Sequence, residues 1–122
     1  MNDQFPQMWA GAHPWRVTIE EAKAAPIPEG ARSALLMQYG TMLVRYYAPK
    51  GADPQIPHEQ DEVYVIASGS GTFVNGDERV PFTAGDVLFT PAKQVHRFEA
   101  FTDDFATWVI FYGPQGGEQR QR

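Results

Sequence analysis

Val63-Tyr64-Val65-Ile66-Ala67-Ser68-Gly69-Ser70-Gly71-Thr72-Phe73-Val74-Asn75-Gly76 decides the fold class: two short β-branched and aromatic runs, 63–67 and 72–74, are parted by glycines and stop at Asn75-Gly76. Runs of this composition bounded by Gly, Asn and Asp read as strands. Asn75-Gly76 reads as a hairpin turn, because a type I′ turn needs positive φ at both central residues. Working outward, the same texture recurs over residues 34–39, 41–48, 79–82, 87–90, 95–101 and 105–112, with Gly40 and Ala84-Gly85 among the breaks. About eight consecutive short strands without long helices between them predict an all-β domain: an antiparallel barrel, jelly roll or sandwich.

Upstream the texture differs. Thr18-Ile19-Glu20-Glu21 has the Thr-x-x-Glu spacing of a capping box, which opens a short helix that Pro26 ends. The segment from Phe5 to Trp15 carries Phe5, Met8, Trp9 and Trp15 and is too apolar for a free terminus. It is expected to pack on the barrel or on a partner subunit. After Gly113 the chain has almost no apolar area to offset ordering and is expected to fray. The division is an N-terminal arm with a short helix over 1–30, a β-barrel over 31–113 and a flexible tail over 114–122.

At 122 residues the chain suits one domain able to bury a core without staples. It has no cysteine, so any metal must be held by nitrogen or oxygen. Fifteen acidic against ten basic residues give a net charge of −5, and the basic residues are scattered, so nucleic acid is not an expected partner. No signal-peptide pattern opens the chain and no apolar run is long enough to cross a membrane, which makes a cytoplasmic location the default expectation, with no membrane partner.

Three histidines are present, His13, His58 and His96. For His58 and Glu62 to bind one ion, donor atoms must come within about 2.0–2.2 Å of it, while four residues of straight strand part them by roughly 13 Å. The chain must therefore turn between them, and Glu59-Gln60-Asp61 is polar enough to do so. Alternation then directs Glu62, Tyr64 and Ile66 to one face, and His96, Phe98 and Ala100 to one face of a later strand. Tyr64 and Phe98 are candidate pocket residues. Arg45 and Gln38 could reach inward but read more simply as surface residues, and His13 reads as a loop residue.

These residues resemble the two signature motifs of the cupin superfamily. Gly51, His58, Glu62 and Gly69 match the first motif, whose usual first histidine of His-x-His is replaced by Ile56. Gly85, Pro91 and His96 match the second, in which Lys93 stands for a glycine and Ala100 for an asparagine. The resemblance implies a double-stranded β-helix, the cupin or jelly-roll barrel, with His58, Glu62 and His96 holding a divalent metal such as Fe, Zn, Ni or Mn. Two histidines and a carboxylate are similar to the facial trio that leaves open positions on iron. Gln60 is a candidate amide ligand replacing the missing imidazole. Ile56, two residues from His58, is expected beside the metal as an apolar wall.

What the resemblance implies for function is a metal-dependent catalyst, a dioxygenase or isomerase, acting on an oxygen-rich small molecule. The alternative is a non-catalytic ligand-binding or sensor cupin with a degenerate site, and the residues leave both open. A small-molecule ligand and a homodimer are the expected partners.

Overall fold

The computed structural model describes residues 8–13 and 15–119. Expectations for Phe5, for the remainder of residues 1–7, for Pro14 and for the last three tail residues lie outside these. The elements are β1 (Met8–Trp9), α1 (Ile19–Ala24), β2 (Ala34–Tyr39), β3 (Met42–Tyr47), β4 (Asp61–Ser68), β5 (Ser70–Asn75), β6 (Glu78–Thr83), β7 (Val87–Thr90), β8 (His96–Glu99) and β9 (Ala106–Tyr112). Two antiparallel sheets form, ordered β1-β2-β3-β9-β4-β7 and β6-β5-β8. Among the described residues no helix is long and apolar enough to cross a membrane.

The chain passes from one sheet to the other at Gly69. Its φ is +81°, and a Cβ there would lie 2.6 Å from the Cα of Phe105. Only glycine fits that corner without displacing backbone. The alternation read from the sequence holds on both sides of it. Tyr64 and Ile66 of β4 meet Phe73, Phe82, Phe98 and Phe105 in a buried core. Large side chains of this kind each contribute about 1.5–3 kcal/mol when fully buried.

The opposite face of the larger sheet carries a second buried cluster, Leu36, Val44, Tyr46 and Ala106, covered by Ala22 of α1 with Val17 and Ile19 packed against it. Here Met8, Trp9 and Ala10 of the N-terminal segment find their seat on their own chain, while Trp15 stays exposed. β1 extends the sheet by pairing Met8 with Gln38 and Trp9 with Met37. α1 starts where the sequence places it, with Thr18 and Glu21 capping each other's backbone.

Three local expectations are corrected. The β5–β6 loop is Gly76-Asp77, because Asn75 pairs with Glu78, and only Gly76 has positive φ. Glycine at the first loop position matches a type II′ turn, the other geometry whose twist suits a hairpin. Asn75 instead spans the sheets, donating to the Phe89 carbonyl at 3.0 Å and accepting from Thr90 Oγ1 at 3.1 Å. β8 ends at Glu99, so Ala100 leaves the face it was to share with His96 and is exposed. The tail is tied down at its start: Gly116 donates to the Glu59 carbonyl at 2.6 Å and Glu118 to Asp61 Oδ2 at 2.8 Å. The partner it finds is Asp61, a buried carboxylate whose need for donors outweighs the tail's lack of apolar area.

Candidate metal centre

Three segments meet at one end of the cleft between the sheets. β4 supplies Glu62 and Tyr64, β8 supplies His96, and the loop between β3 and β4 supplies His58 and Gln55. That loop is stiffened by Pro54 and Pro57. Asp53 Oδ1 accepts the Gln55 backbone N–H at 3.3 Å, an Asx turn, and the His58 carbonyl accepts the Lys93 N–H at 2.6 Å.

His96 Nε2 lies 2.9 Å and His58 Nε2 3.8 Å from Glu62 Oε1. One donor atom from each of the three falls within 4.8 Å of the others. Glu62 is only 1% exposed, yet neither of its carboxylate oxygens completes a hydrogen bond among the described residues. The 2.9 Å approach of His96 is therefore proximity without hydrogen-bond alignment. His96 Nδ1 is 2.8 Å from the Gln94 carbonyl, which can only accept, so Nδ1 carries a hydrogen and Nε2 is the nitrogen turned to the centre. A buried carboxylate whose oxygens complete no hydrogen bond, close beside two imidazole nitrogens, is costly unless a cation lies among them. The donor set of two imidazoles and a carboxylate thus fits a divalent transition metal.

Ionisation follows the same geometry. Burial holds the His58 imidazole below its usual range, with the Glu62 charge opposing and the His96 and Arg45 charges adding to it. Burial also works against protonation of His96, but the adjacent Glu62 and the Gln94 carbonyl outweigh it, and its pKa is raised. Burial, reinforced by Glu62, pushes the Tyr64 hydroxyl well above its ordinary value, so it stays a hydrogen-bond donor.

A pocket of about 420 Å³ opens beside these groups, with Leu43, Val109 and Phe111 as apolar wall and Arg45 and Tyr47 as polar lining. The His58 ring packs edge-on against Phe111 at 5.0 Å. Arg45 is held by the Ser33 carbonyl and hydroxyl, each at 3.2 Å.

His58, Glu62 and His96 are brought together, and Tyr64 joins them. Of the other candidates, Gln60 and Ile56 line the pocket as expected, whereas Phe98 does not and Ile56 is not on a strand. Gln60 lies at the pocket edge, but its amide donates to the carbonyls of Thr41 and Gly113, both at 2.9 Å, and braces two loops. Phe98 lies beneath the site, its ring 4.9 Å from that of Tyr64, and does not line the pocket. Ile56 is on a loop, where strand parity does not apply, and is 68% exposed at the pocket mouth.

The sequence reading missed Gln55 and Asp53. Gln55 Oε1 stands 3.1 Å from His96 Nε2, 3.3 Å from His58 Nε2 and 3.3 Å from the Tyr64 hydroxyl. The available signal was an acid and an amide two residues apart, between prolines, just before a candidate ligand.

Residues 43–112 match the family described as Cupin domain. An uncharacterised protein of Streptomyces coelicolor is 36% identical over 98 residues, covering 80% of this chain and 91% of that protein. A gentisate 1,2-dioxygenase of a Streptomyces species is 24% identical over 118 residues, and this chain spans about a third of its length, 33%, with 85% of itself. Among solved structures, a cupin-2 domain protein of Shewanella frigidimarina superposes with a TM-score of 0.62 at 14% identity, over 77% of this chain and 91% of that one, a likeness of fold.

Proposed function

The chain belongs to the cupin domain family, and from that premise we propose that it holds one divalent transition metal through His58, Glu62 and His96 and uses it on a small, oxygen-rich anion. The observation that carries this reading is Glu62, buried beside two imidazoles with both oxygens lacking hydrogen bonds. Iron, zinc, nickel and manganese all accept such donors. A bound ion of this kind polarises an oxygen of the ligand or, as iron, accommodates dioxygen.

The chain's own residues do the rest. Leu43, Val109 and Phe111 exclude water from one side of the pocket. Arg45, fixed by Ser33, offers the charge that orients a carboxylate. Pocket walls that are apolar with few polar groups suit a small organic acid. The gentisate dioxygenase relative is consistent with an oxidative reaction on such an acid. A second reading, ligand binding without turnover, draws on Gln55 Oε1, which already bridges both imidazoles and could leave a satisfied polar cluster.

The test is to load purified protein separately with Fe²⁺, Zn²⁺, Ni²⁺ and Mn²⁺ and measure bound metal. One ion per chain is expected for the wild type and none for His96→Ala or Glu62→Gln. Absence of binding for every ion would overturn the reading and leave the polar cluster.

A further inference from the structure

We propose that Gln55, through Oε1, is a fourth protein ligand of this metal, and that Asp53 is the positioning residue that turns the amide oxygen inward. The inference rests on the metal reading above. It moves the role of the missing histidine from Ile56 to the residue before it.

Geometry selects Gln55. Its Oε1 lies 3.1 Å from His96 Nε2 and 3.3 Å from His58 Nε2, so it faces the same point as the carboxylate of Glu62. Ile56 points out of the protein, and Gln60 has committed its amide to two loop carbonyls. Among the described residues no other amide side chain hydrogen-bonds to either imidazole.

The orientation of the amide is dictated from behind. Gln55 Nε2 donates to Asp53 Oδ2 at 2.6 Å. A flipped amide would set its oxygen against that carboxylate, acceptor against acceptor, so the observed placement is the one the chemistry allows. Asp53 cannot readily turn away, since Oδ2 also accepts the Phe98 N–H at 2.8 Å and Oδ1 accepts the Tyr47 hydroxyl. Its contacts reach β3 and β8, so both sheets hold the carboxylate that holds the amide. Pro54 and Pro57 lower the entropy this loop loses on ordering.

The chemistry of the set follows. An amide oxygen in place of an imidazole changes a three-nitrogen, one-oxygen environment into two nitrogens and two oxygens. Oxygen donors favour harder ions, so manganese and iron gain relative to zinc and nickel.

The experiment measures cobalt(II) and zinc(II) affinity of the full chain by competition with a chromophoric chelator, together with the cobalt visible spectrum. Variants are Gln55→Ala, Gln55→Glu and Asp53→Asn, each checked for folding by circular dichroism. Gln55→Ala is expected to weaken binding about 10- to 100-fold, the range seen when groups supporting a metal site are lost, and to change the cobalt spectrum. Gln55→Glu keeps an oxygen donor and should retain binding within a few-fold of the wild type. Asp53→Asn should weaken binding about tenfold or more, with a shifted spectrum, because the amide loses its fixed orientation. If the wild type binds no ion, the metal reading itself fails. If the wild type binds and folded Gln55→Ala matches it in affinity and spectrum, only the present inference is overturned.

Discussion

Lys93 donates its backbone N–H to the carbonyl of His58 at 2.6 Å while holding a left-handed backbone, φ +70°. Ala100 is left-handed too, at φ +52°. These are the two positions where the second cupin motif carries glycine and asparagine, the residue types that enter this region at least cost. Both departures from the motif therefore concern backbone conformation and leave the ligand positions untouched.

Replacing Lys93 with glycine should accordingly stabilise the fold. Relief of about 1–2 kcal/mol of left-handed strain is partly offset by about 0.5–1 kcal/mol of extra chain entropy, a net gain of about 0.5–1 kcal/mol. Thermal denaturation of Lys93→Gly should show a higher midpoint at unchanged metal content. A lower midpoint would mean the strain is not there to relieve.

Gly69→Ala should do the reverse. The new Cβ meets the Phe105 Cα at 2.6 Å and the Phe105 N at 2.8 Å, both backbone atoms with no freedom to swing aside. A loss of about 3 kcal/mol or more is expected, toward the severe end for a single substitution. Urea unfolding would read it as a lower midpoint with the same slope.

Ending the chain at Gly113 should cost about 1–3 kcal/mol, through lost bonds from Gly116 to the Glu59 carbonyl and from Glu118 to the Asp61 carboxylate. A melting temperature equal to that of the full chain would return the segment to the status of a dispensable tail.

The helix cap gives a pH dependence whose sign is fixed. Backbone N–H donors of Ala12 and Thr18 hold the Glu21 carboxyl below its ordinary value of 4.5. A carboxyl lowered in the folded state adds stability above its unfolded pKa and loses it as pH falls through the folded one. The melting-temperature difference between wild type and Glu21→Gln should be constant near neutrality and shrink below about pH 4.5. A difference that persists at pH 2 would assign the effect to something other than the charge.

The strands were legible because period-two patterns and glycine breaks are local signals: β2 and β7 fall where the composition places them. His58, Glu62 and His96 were legible because they match the cupin motifs, and the fold brings them together. Ile56 and Gln60 line the pocket as read, but strand parity was applied to Ile56, and residues 52–60 form a loop until β4 begins at Asp61. In a loop, side-chain direction is set by tertiary partners, and the partners of Gln55 lie at Asp53 and, 41 residues on, at His96. The anchoring of the tail was hidden likewise, since Asp61 gives no sign in sequence that it is buried and awaiting donors.

The clasp that joins Asp53 to Phe98 and His58 to Lys93 closes a chain loop of some 35 to 45 residues. Contacts so distant in sequence form late, after the hairpins that can assemble locally. Stabilisation confined to late-forming contacts slows unfolding and barely alters the rate of folding. Anything that tightens this clasp, an ion at the centre included, should therefore lengthen the lifetime of the native barrel far more than it hastens its birth.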